Sequence, residues 1–178
     1  MAAGAGAAAA ALQARALRWL AQREHSRGEL RAKLLRVAGA AAGPFGGRGG
    51  EGADDAGAAP DPAEIDALLD RLQRQGLLSD ERFVQSRLRL RSAQHGLRRL
   101  EAELSRHAVA LPAADRQRLL ATELPRAVDL WRRRFGGPAA DPKLRARQMR
   151  FLAARGFSPE VIRKAAAELR RAPDGDGG

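Results

Sequence analysis

Apolar residues recur three and four positions apart along most of the 178-residue chain, as in Phe83, Val84 and Leu88 or Leu130, Trp131 and Phe135. Such spacing places them on one stripe of an α-helix. Nowhere do apolar and polar residues alternate strictly with the β-branched enrichment a strand requires, so the fold is expected to be all-α. Helices are predicted over about 12–24, 26–37, 62–75, 79–94, 97–107, 112–123, 125–135, 142–154 and 159–171.

Start and stop signals agree with this reading. Pro62, Pro112 and Pro159 each stand at the head of a helical stretch, where a missing N–H loses no bond. Asp61 with Glu64 and Ser26 with Glu29 have capping-box spacing, and Ser158 is a good N-cap, whereas Leu111 is a poor one. Gly39, Gly76, Gly136 and Gly156 are expected to close helices in the left-handed conformation, and His107 stands where the other copies have glycine.

The pattern repeats. Phe83 and Trp131 are 48 residues apart, as are Leu104 and Leu152, and Pro112 and Pro159 are 47 apart. This predicts tandem three-helix units of about 48 residues. Trp19, Leu34 and Pro62 mark a first copy, interrupted by a Gly/Ala-rich stretch that buries too little to offset its ordering entropy. The expected organisation is a disordered tail over 1–11, a first repeat over 12–75 with a flexible insertion at 38–60, a second over 76–123, a third over 124–171 and a disordered tail over 172–178.

Composition narrows the chemistry. There is no cysteine, hence no disulfide, thiolate nucleophile or Cys-based zinc site, and a reducing cytoplasm is the compatible compartment. No apolar run reaches the roughly 20 residues that span a bilayer. His25, His95 and His107 are not spaced as a metal pair, and no nucleophile elbow or phosphate-cradling glycine loop occurs. Glu101 and Glu103, two apart on a helix, point to different faces. An enzyme is therefore not expected, nor any metal or cofactor.

Charge changes the picture more. Lysine and arginine total 32 against 21 acids, a formal net charge of +11, and Lys33, Lys143 and Lys164 are the only lysines. The acids concentrate from Gly49 to Asp70, where no base occurs. The second and third repeats are left strongly basic, which points to a polyanionic partner. Their apolar stripes claim one face of each helix, so the arginines occupy the flanks. A solvated face is the plain alternative, but a face short of acids is not a usual solubility device. Trp19, Phe83, Trp131, Phe135, Phe151 and Phe157 recur at helical or repeat spacing and read as core rather than as base-stacking platforms.

Three stretches together resemble the RecX recombination regulators of bacteria: ALRWLAQREHSRGELRAKL; EIDALLDRLQRQGLLSDERFVQSRLRLR followed by HGLRRLEAEL; and RQMRFLAARGFSPEVIRKA. The most specific pieces are the Ser-Asp-Glu-Arg-Phe turn ending at Phe83 and the RGFSPEVI close at 155–162. The resemblance covers about residues 12–170 without the insertion. It implies tandem three-helix repeats in an elongated, curved array. It also implies binding to the RecA recombinase and its filament on single-stranded DNA, with loss of ATP hydrolysis and strand exchange. Weak direct DNA binding and a monomeric state are further expectations, and no catalytic residue is carried over. Within this frame Arg87, Arg91, Arg98, Arg99, Arg132, Arg133, Arg147 and Arg150 are the expected contacts. The alternatives are an autonomous basic DNA-binding regulator and a helical protein-binding scaffold.

Overall fold

The computed structural model describes residues 2–41 and 61–171. Nine helices make up the described residues: α1 (Ala2–Gln22), α2 (Arg27–Ala41), α3 (Pro62–Arg74), α4 (Asp80–Arg91), α5 (Leu97–Arg106), α6 (Ala113–Ala121), α7 (Glu123–Phe135), α8 (Pro142–Ala154) and α9 (Pro159–Arg171). No strand occurs among the described residues, and the all-α expectation holds. The chain divides into two compact units, Met1–Phe83 and Val84–Gly178, with the division falling inside α4.

Most boundaries lie within three residues of their expected positions, and the departures have local causes. α1 begins at Ala2 rather than at 12, because an alanine-rich stretch continues a helix at little conformational cost. Among its residues from Gly6 on, Leu12 is the first that is buried; Gly6 to Ala11 are exposed apart from the half-buried Ala8. Gly39 does not end α2, which runs on to Ala41 with Ala38 buried. The remainder of the expected insertion, residues 42–60, and the expected tail at 172–178 lie outside the described residues.

Side-chain caps start several helices. Ser26 Oγ accepts from the Glu29 N–H (3.0 Å), Asp61 from Ala63 (2.9 Å), Ser79 Oγ from Arg82 (3.2 Å), Asp141 from Lys143 (3.0 Å) and Ser158 Oγ from Val161 (3.2 Å). Each satisfies a first-turn donor that has no partner within its own helix. Pro112 is the N-cap of α6 rather than its first residue and offers no side-chain acceptor. Sequence reading missed two caps that come from far along the chain. Asp80 Oδ1 accepts from Arg27 N at the head of α2 (2.7 Å), and Glu123 Oε1 accepts from Leu97 N at the head of α5 (2.9 Å). In both cases an acid in the first turn of one helix, α4 or α7, caps the start of the helix two elements earlier, α2 or α5.

α3, α5 and α8 end in the same paired-bond turn. Leu77 N reaches Leu72 O (2.9 Å), Val109 N reaches Leu104 O (3.1 Å) and Phe157 N reaches Leu152 O (3.3 Å), with a second bond inside each. The left-handed residues are Gly76 (φ +70°), Ala108 (φ +57°) and Gly156 (φ +85°). His107 has φ −99°, so the residue standing in for glycine in the second repeat is Ala108.

The first unit packs α1, α2 and α3 around Leu30, Leu34, Ile65, Leu69 and Leu72, all inaccessible to solvent, with Leu78 closing the cluster. Trp19 is only half-buried, and the Lys33 ammonium lies 5.2 Å from its ring centre. In the second unit α7 packs chiefly against α9 and also meets α6 and α8. Trp131, Leu152, Phe157, Ile162 and Ala165 form that core. The spaced landmarks Leu34, Leu104 and Leu152, like Phe83 and Trp131, are all buried, as helical repeats built on one pattern require.

Candidate interaction surface

Whether an arginine is available to a partner depends on what its own fold gives it. On α2, Arg31 Nε lies 2.8 Å from Asp66 Oδ1, and Arg27 Nη1 lies 2.7 Å from Asp70. The Arg31 guanidinium holds the Asp66 carboxyl below its ordinary range through a two-pronged hydrogen bond. Arg23 pairs with Glu29, and Arg82 with Glu24 at 2.9 Å. Four cations of the first unit are thus paired with acids of α2, α3 and the α1–α2 turn, whereas Arg15, Arg18, Arg36 and Arg74 are exposed without a carboxylate partner among the described residues.

The second repeat is mixed. Arg87 and Arg91 both approach Glu103 Oε1, at 3.6 and 3.7 Å. Arg116 pairs with Glu101 (2.9 Å), and Arg118 pairs with the buried Asp115, which also accepts from Gln85 (2.9 Å). Arg98 and Arg99, in the first turn of α5, are exposed and lack a carboxylate partner among the described residues.

The third repeat is the least neutralised. Its one ion pair among the described residues is Lys164 with Glu160 (2.6 Å) on α9. Arg132, Arg133 and Arg134 in the last turn of α7 are exposed, as are Lys143, Arg147 and Arg150 on α8. Lys143, Arg147 and Arg150 follow i, i+4, i+7 and so share one face of α8. Acids on these two helices are few, and Asp141 is used as the α8 cap.

One arginine of α7 turns out to be an internal support, and a second keeps one edge on backbone. Arg126 is half-buried and donates to Ser92 O (2.6 Å), His95 O (2.7 Å) and Leu119 O (2.9 Å). It satisfies carbonyls left open after α4 and at the end of α6. Burial lowers its pKa, and nearby Glu123 partly offsets this. Arg133, one heptad on, reaches Ala93 O at 3.4 Å. Counting charges along the sequence could not separate these from Arg132, because all but one of the carbonyls they meet lie more than 30 residues away.

The eight expected contacts therefore fall into three groups. Arg98, Arg132, Arg147 and Arg150 are exposed, with no protein partner for their side chains among the described residues. Arg99 and Arg133 are exposed but each touches one backbone carbonyl. Arg87 and Arg91 share Glu103. Arg134, Lys143 and Arg155 belong with the available cations although they were not among those eight. No group of three or more His, Asp or Glu residues that could hold a metal ion occurs among the described residues, and no helix there is long and apolar enough to cross a membrane.

Comparison with known proteins matches this architecture. A family model described as "RecX, third three-helix domain" matches residues 121–166, the segment of α7, α8 and most of α9. The chain is 44% identical over 155 residues to a regulatory protein RecX of Leptothrix cholodnii, covering 86% of this chain and 85% of that one. It is 40% identical over 153 residues to one of Ralstonia nicotianae, with 85% and 83% covered. The crystal structure of RecX from Lactobacillus salivarius superposes with a TM-score of 0.64 at 16% identity, over 94% of this chain and 99% of that one, and so supports the fold. On the extent and level of these similarities, the chain belongs to the RecX family of regulatory proteins.

Proposed function

We propose that the chain is a negative regulator of homologous recombination that binds the RecA recombinase and its filament on single-stranded DNA, suppressing ATP hydrolysis and strand exchange. The single observation that supports this most is the set of exposed guanidinium groups on α5, α7 and α8 that have no carboxylate partner among the described residues: Arg98, Arg99, Arg132, Arg133, Arg147 and Arg150. Planar guanidinium forks suit carboxylates and phosphates, the two anionic groups a nucleoprotein filament offers. Arg87 and Arg91 join this surface by exchanging Glu103 for a partner group. The action is steric and electrostatic, through occupation of the filament rather than any bond-making step. Adding the protein at near-stoichiometric ratio to RecA filaments hydrolysing ATP on single-stranded DNA should suppress hydrolysis and strand exchange. Unchanged rates at a severalfold excess would defeat the reading.

A further inference from the structure

In the second unit the α4–α5 turn and the α8–α9 turn meet at backbone distance. Gly96 N–H donates to Arg155 O at 2.9 Å. A Cβ placed on Gly96 would stand 2.4 Å from the main chain of Gly156 and Phe157, and one on Gly156 would stand 2.5 Å from Arg99 Cβ. This contact, possible only without side chains, brings the main chains of Arg99 and Arg155 side by side from different repeats. Arg99 is exposed and reaches Ala154 O at 3.5 Å, a weak hold. The Arg155 guanidinium lies 4.9 Å from the centre of the Phe151 ring.

Neither guanidinium has a carboxylate within 4.0 Å among the described residues. His95 lies beneath, 6% exposed, and supplies no negative charge: burial pushes its pKa down, and the positive charges of Arg99, Arg155 and Arg91 push in the same direction. Two positive side chains thus extend from main chains held together by the glycine contact, next to a buried ring that supplies no negative charge.

We propose that Arg99 and Arg155 form a clamp for paired carboxylates on an acidic protein surface. The neighbouring rings favour carboxylates over a single-stranded nucleic acid. Phe151 has the Arg155 guanidinium over it and meets Phe135 edge to face, with ring centres 5.3 Å apart, while Arg134 lies 5.7 Å from the Phe135 centre. Both rings also pack against the third-repeat core, which leaves little open face on which a base could stack. The clamp rests on the reading of this chain as a ligand of the RecA filament and assigns that contact its chemistry and a residue, Arg155.

The test measures binding of the fluorescently labelled full chain to RecA filaments on single-stranded DNA and, separately, to the DNA alone at the same salt. Arg99→Glu/Arg155→Glu is compared with Arg163→Glu/Arg171→Glu, which makes the same charge change on exposed α9 positions, and helical content is checked for each. The clamp predicts at least about tenfold weaker filament binding for the first pair and no more than about twofold for the second. Arg99→Lys/Arg155→Lys, which keeps charge and fold but loses the forks, should weaken binding severalfold. Equal loss in both Glu pairs, or none in either, overturns the clamp while leaving the parent reading standing. A loss on naked DNA as large as that on filaments makes phosphate the occupant and overturns the carboxylate assignment. If the unaltered chain does not bind filaments at all, the parent reading falls, and the clamp loses its partner with it.

Discussion

Ala108 and Gly156 occupy the same left-handed position of equivalent turns, 48 residues apart, yet only the glycine is crowded. Ala108 bears the steric cost of its Cβ in that conformation, about 1 kcal/mol. Gly76 has φ +70° with nothing within 4 Å of where a Cβ would stand, whereas at Gly156 a Cβ would collide with Arg99. A graded series is expected in urea unfolding. Ala108→Gly should stabilise by about 0.5–1 kcal/mol, Gly76→Ala should destabilise by about 1 kcal/mol, and Gly156→Ala should destabilise by about 3 kcal/mol because strain and overlap combine. Equal costs at positions 76 and 156 would show that the two turns are not pressed together as described. Sequence spacing pointed to this turn but placed the irregularity on His107, since dihedral angles one residue apart leave no trace in composition.

Two elements share a device that their spacing in the chain does not announce. His25 stands one residue before the Ser26 cap of α2, and His95 one residue before the Gly96 cap of α5. Each is buried, and each donates from Nδ1 to a carbonyl near the end of the preceding helix, Arg23 O at 3.0 Å and Arg91 O at 3.2 Å. At His25 the Lys33 ammonium donates to Nε2 (2.8 Å), which selects the neutral ring. Burial is the main cause that lowers both pKa values below the ordinary 6.5, helped at His95 by Arg99, Arg155 and Arg91. A base with a depressed native pKa takes up its proton more readily when unfolded. Its contribution is therefore complete above about pH 6.5 and is lost as pH falls from there through the native value, at up to about 1.4 kcal/mol per pH unit for each ring. Unfolding free energy should fall between pH 7.5 and 5.5, and His25→Gln/His95→Gln should remove most of that slope. An unchanged slope in the double variant would assign it to other groups. Helix positions were legible from periodicity, proline and capping residues, because those signals are local. The caps from Asp80 and Glu123 and the bonds of Arg126 to Ser92 O and His95 O were not, because each joins residues 26 or more apart, and sequence alone does not pair them.

For the molecule as a whole, the surplus of 32 bases over 21 acids foretold a basic protein but not where the surplus would stay unpaired. Half of the expected contacts are exposed, with no partner for their side chains among the described residues, and the others are shared with Glu103 or with backbone. Arg31 with Asp66 and Arg87 with Glu103 show why: the neutralising acid lies on another helix, so pairing is a property of the fold. What distinguishes the third repeat is a face whose cations have no carboxylate partner among the described residues. The most direct measurement titrates ATP hydrolysis by RecA filaments with three forms of the protein: unaltered, Arg132→Glu/Arg147→Glu/Arg150→Glu, and Arg116→Gln/Arg118→Gln, whose arginines are already paired internally. The unaltered and paired-arginine forms should inhibit at similar, near-stoichiometric ratios, and the charge-reversed form should require at least about tenfold more. Inhibition by the charge-reversed form at the same ratio as the unaltered protein would contradict the account.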